Sequence, residues 1–103
     1  MEIKSFKMIS GEEIIGKVNA VINDVWVLES VRLIITQAAG PNKLGVGFMP
    51  YIVSNMEGKN NIYRHAVACE PQSIAKDLEM MYLENVSGLQ LPPSGSAKSI
   101  IMS

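Results

Sequence analysis

Apolar and polar positions alternate along the first two-thirds of the chain. Ile3, Phe6, Met8 and Ile9 interleave with Lys4 and Lys7, and Ser10-Gly11-Glu12 offers a tight turn. Ile14, Gly16, Val18 and Ala20 then alternate with Glu13, Lys17 and Asn19. The pattern predicts a hairpin. Asn23-Asp24 supplies the next turn, and Val25 to Thr36 is rich in β-branched residues and long enough for a bent third strand. Gly16, with no side chain, marks a point where the second strand curves sharply. Ala38 to Asn42 reads as a loop through Gly40-Pro41-Asn42. Leu44 to Ser54 follows as a fourth strand, edge or bulged because Pro50 has no N–H to donate. After the turn at Glu57 to Asn61, Ile62 to Cys69 reads as a fifth strand.

The period then changes. Ile74, Leu78, Met81, Tyr82 and Val86 recur at helical spacing, Pro71 stands where a first turn tolerates a missing N–H, and Gly88 follows as a stop, which predicts one helix of about 15 residues. Beyond it, residues 89–103 lose periodicity and gain Pro, Gly and Ser, the composition of a flexible tail. The expected fold is therefore mainly β: residues 1–88 form a small, strongly bent, five-stranded antiparallel barrel with one C-terminal α-helix, without repeats.

Composition narrows the function classes. The 103 residues are 48% hydrophobic, with nine basic side chains against ten acidic ones, so the chain buries a core and lacks the basic surplus that duplex DNA demands. No spanning apolar run and no signal-type leader are present, and Cys69 stands alone, which points to a reducing, cytoplasmic setting without disulfides. No membrane partner, cofactor or metal is expected.

Catalytic groupings fail on counting. His65 is the only histidine, and on an extended strand it lies about 13 Å from Cys69, too far for proton transfer. Cys69 reads as a small buried hydrophobe, and adjacent Glu12 and Glu13 as solvated turn charges. Gly45-Val46-Gly47 runs into a strand and lacks the third glycine of a phosphate loop. The chain reads as a non-enzyme. Trp26, Phe48, Tyr51 and Tyr63 are aromatic candidates for base stacking or for core and interface.

The run Phe6 to Val18, with Gly11 and Gly16 at their particular spacing, resembles the first Sm motif of Sm and LSm proteins. The wider layout is similar to small Sm-like proteins of tailed phages, including cyanophages: an SGEEIIG hairpin, a Met49-Pro50-Tyr51 element, and a helix begun at Pro71 and carrying Tyr82. The similarity spans roughly residues 2 to 87. It implies a homo-oligomeric ring of five to seven subunits, each adding its fourth-strand edge to the fifth strand of a neighbour, with single-stranded RNA as candidate ligand. A phage-encoded chain of this kind acts in the host cytoplasm. The stretches corresponding to the family's RNA site read Asn23-Asp24-Val25-Trp26 and Arg64-His65 here, so Asn23, Asp24, Arg64 and His65 are the RNA-binding candidates. The helix follows the strands, whereas Sm proteins usually place it before them.

Val46, Phe48, Tyr51 and Ile52 on the fourth strand would be exposed in a lone subunit, and with Tyr63 and Val67 of the fifth they are the candidate oligomer interface. The alternative function is a non-enzymatic phage assembly or scaffold protein that binds other proteins without nucleic acid. Near-neutral charge favours that alternative.

Overall fold

The computed structural model describes residues 1–88. It is mainly β with one helix: β1 Glu2–Lys7, β2 Glu13–Ile22, β3 Val25–Gly40, β4 Lys43–Pro50, β5 Asn60–Tyr63, β6 Gln72–Ser73 and α1 Lys76–Ser87. The strands pair in the order β4-β3-β2-β1-β6, with β5 on the N-terminal part of β3. The sheet is antiparallel and not closed, and it has a sixth, two-residue strand where five in a barrel were expected. The flexible tail expected over residues 89–103 lies outside the described residues.

Two compact units form. The first comprises Met1–Leu33 and Pro50–Ile74. Its core is Phe6, Met8, Ile14, Trp26, Leu28, Val31 and Ile62, with Val18, Leu33, Tyr51, Ala66 and Val67 half-buried against it. Phe6 meets the Trp26 ring edge-on, at 5.3 Å between centroids and 66° between planes. The bend expected at Gly16 takes the form of a register shift: Ile15 pairs with Arg32 but Lys17 pairs with Glu29, and Ser30 opposite adopts φ +54°. A second shift falls between Val18 and Ala20. Each shift bends and twists the strand pair. A side chain at Gly16 would start 3.3 Å from Val31 and 3.4 Å from Leu28, both core residues. Gly16→Val is expected to cost about 1–3 kcal/mol through overpacking, read as a lower denaturant midpoint, and an unchanged midpoint would contradict this account.

Among the described residues, the second unit comprises Ile34–Met49 and residues 75–88. Here the expected loop at Ala38 to Asn42 is corrected. β3 runs on to Gly40 and β4 starts at Lys43, so the connection shrinks to Pro41-Asn42, flanked by φ +137° at Gly40 and held by φ +61° at Asn42. Tyr82 of α1 is fully buried and packs edge-on against Phe48 of β4, 6.0 Å between centroids. α1 ends as expected at Gly88, left-handed at φ +65°.

Other boundaries differ for identifiable reasons. β4 stops at Pro50 rather than reaching Ser54, as a residue without an N–H would make it. Two tight turns follow, closed by Asn55 N–H to Ile52 O at 2.9 Å and Gly58 N–H to Asn55 O at 3.1 Å. The helix begins at Lys76, not Pro71. Gln72 and Ser73 pair instead with Ser5 and Lys4 of β1, and that ladder holds the backbone extended. The fifth strand ends at Tyr63, and Arg64–Ala66 turn into a 3₁₀ helix, closed by Val67 N–H to Arg64 O at 3.0 Å. Cys69, expected buried, is exposed. The chain there has just left the Met8–Val67 bridge, and Ala68 N–H still bonds Lys7 O at 2.7 Å, so the strand ladder ends one residue before the thiol.

Candidate functional site

The β2–β3 connection is two residues long, because Ile22 pairs with Val25. Asn23 and Asp24 both take left-handed φ, +48° and +65°, the requirement of a type I′ turn, and Asn and Asp tolerate that region better than most side chains. The turn is tied to the end of β5. Arg64 donates its backbone N–H to Asp24 O at 3.1 Å and its Nε to Asp24 Oδ1 at 3.3 Å. The same guanidinium lies 3.7 Å from Glu70 Oε2 and 4.9 Å from the centre of the Trp26 ring. Phe6 buttresses that ring from the core.

The four residues predicted from the sequence are thus brought together. Asn23, Asp24, Arg64 and His65 line one open cleft of about 360 Å³, with Val25 and Tyr63 completing its wall. Ile22, Val25 and Tyr63 are cross-strand neighbours on β2, β3 and β5 and share one face of the sheet. The next row, Val21, Trp26 and Ile62, faces the other way, and of it Trp26 and Ile62 enter the core while Val21 is exposed. The Tyr63 ring, half-exposed, stacks on the His65 imidazole at 5.8 Å and 16°. The cleft therefore has an apolar and aromatic wall and a charged rim.

The charge on that rim is compensated. Arg64 faces two carboxylates, so its guanidinium already has anionic partners and a phosphate would have to displace them. Each pair is exposed and individually weak, and salt screens it further. Their combined effect is positional: Arg64 fixes the turn against the 3₁₀ helix. Lys59 stands before β5 and Arg64 after it, roughly 10 Å or more of strand apart, so these two cations do not converge into a phosphate track.

The predicted interface residues divide. Val46 and Phe48 are half-buried on β4, and Phe48 is turned to Tyr82. Tyr51 and Val67 are half-buried against the first unit's core, while Ile52 and Tyr63 are exposed. Burial, and secondarily the charge of Glu12, push the Tyr51 phenol above its ordinary range, so it stays protonated at neutral pH and serves as a packing residue. Sequence reasoning missed Val53, which it placed in the fourth strand, and Met56, which it left between that strand and the next turn; both are exposed in the loop after β4.

Among the described residues, no group of three or more His, Cys, Asp or Glu could hold a metal ion, and no helix is long and apolar enough to cross a membrane. No protein-family model and no curated protein matches the sequence.

Proposed function

We propose that this chain is a non-enzymatic assembly module of Sm-like kind, which associates with copies of itself into a ring of five to seven subunits and acts by binding other proteins. The observation that carries the reading is the position of β4 at the end of the strand order, with no strand pairing its outer side among the described residues. An unpaired row of N–H and C=O groups invites another strand. Two large apolar side chains on it, Leu44 at 63% and Met49 at 41% exposure, gain from being covered. Pairing of unlike edges is head-to-tail, and such contacts close into a ring when the rotation per subunit divides the circle. The strongly bent, five-stranded Sm-like barrel is the finer fold of this proposal, supported by the two register shifts that curve β2 and β3.

The test is a pair of charge substitutions at exposed positions. Leu44→Glu and Met49→Glu each leave the fold intact and lower the sedimentation coefficient towards that of a single chain, since a carboxylate buried in a subunit contact is unpaired. An unchanged coefficient in both variants would contradict the edge as the contact.

A second reading places single-stranded RNA against Asn23, Asp24, Arg64 and His65, and the half-exposed Tyr63–His65 stack supports it by offering a ring face to a base. The carboxylates on Arg64 count against it. Anisotropy titration with short A-rich and U-rich RNAs at two salt concentrations separates the two readings. The assembly reading expects no salt-dependent binding. The RNA reading expects affinity that falls with salt, with a slope reduced by about one in Arg64→Ala.

A further inference from the structure

The loop between β4 and β5 is built to hold its shape. Asn55 donates Nδ2 to Lys59 O at 3.0 Å and accepts Gly58 N–H on Oδ1 at 3.3 Å. Gly58 O in turn accepts the Val31 N–H of β3 at 2.9 Å. On this clamped frame Val53 and Met56 stand 73% and 65% exposed, with Ile52 beside them at 40%. Three apolar side chains on a rigid loop lose little conformational entropy when covered.

The complementary feature lies at the other end of β5. The cleft of Val25, Tyr63, His65 and the Asn23-Asp24 turn has an apolar wall and room for side chains. Loop and cleft are separated along β5 by roughly 10 Å or more, so a subunit's own loop leaves from the far end of the strand that carries its cleft. Their charges are compatible as well. Glu57 and Lys59 flank the apolar tip with opposite charges, and on the cleft's rim Arg64 and Asp24 already compensate each other, so seating the tip there leaves no charge unpaired on either side.

We infer that the Ile52–Gly58 loop of one copy seats Val53 and Met56 in the Val25/Tyr63/His65 cleft of the next copy. The inference rests on the self-assembly reading and names a side-chain contact additional to strand pairing through β4. Knob and socket are different surfaces, so the contact is heterologous and repeats in one direction around the ring. It also assigns the cleft to a protein segment.

The experiment uses the full chain carrying Cys69→Ser, which removes the native exposed thiol. Val53→Cys and His65→Cys are introduced singly and together, oxidised with glutathione disulfide, and separated by non-reducing electrophoresis, while light scattering gives the mass of the unmodified protein. The double variant is expected to form a ladder beyond the covalent dimer, and each single variant to stop at the dimer or below. Met56→Asp, at an exposed site, is expected to reduce the assembled fraction at least tenfold at the same concentration. An unmodified protein that assembles while the double variant forms no ladder would overturn the knob-and-socket contact and leave self-assembly standing. A single-chain mass for the unmodified protein would overturn both.

Discussion

Gly58→Ala is expected to destabilise the protein by about 3 kcal/mol or more, through three costs acting together. Gly58 sits at φ +80°, where an L side chain is strained by about 1–2 kcal/mol. The new Cβ would lie 2.6 Å from Val31 N and 3.0 Å from Val31 O, backbone atoms of a central strand that cannot step aside as a side chain would. Relieving that overlap separates Gly58 O from Val31 N–H, a bond whose loss adds roughly 1 kcal/mol. Gly88→Ala is the matched control, since φ is +65° there but, among the described residues, nothing lies within 4 Å of the added carbon. Its cost should be limited to the strain. Urea unfolding of the two variants checks this, and equal midpoints would show that the Val31 approach carries no energy.

Phe6→Ala is expected to cost about 3–5 kcal/mol, the range for removing a fully buried aromatic ring. Its effect also reaches the cleft. Phe6 supports the edge of Trp26, Trp26 underlies the Arg64 guanidinium, and Arg64 pins the Asn23-Asp24 turn. The expected result is a large drop in melting temperature together with a red shift of Trp26 emission, as water reaches the only indole in the chain. A loss below about 1 kcal/mol would mean that the core closes over the gap.

What was legible in the sequence follows the range of the forces involved. The Asn23-Asp24 turn, the bend at Gly16 and the helix stop at Gly88 are decided by residues next to one another, and each stands where the local pattern put it. The end of β5 was not legible. Arg64-His65-Ala66-Val67 alternates like a strand, yet Asp24, forty positions earlier, captures the Arg64 N–H and side chain and the chain turns. Pro71 is a sound helix-start signal in isolation, but pairing of Gln72 and Ser73 with β1 competes for the same backbone. Gly58 read as an ordinary turn glycine because its close neighbour, Val31, is 27 positions away.

The candidate site shows the same division. Asn23, Asp24, Arg64 and His65 were singled out by the resemblance to the Sm motifs, and the structure gathers them in one cleft. Their charge state was hidden, because Glu70 comes to Arg64 only through the turn after β5. Val53 and Met56 were hidden as well. Val53 looks like more strand until Pro50 ends the ladder, and Met56 stands in the gap between that strand and the turn.

The central claim is self-association, and the most direct test is the mass of the full chain by light scattering at micromolar concentration. The account predicts a single species at five to seven times the 11.3 kDa of one chain. A mass of 11.3 kDa across that range would contradict it.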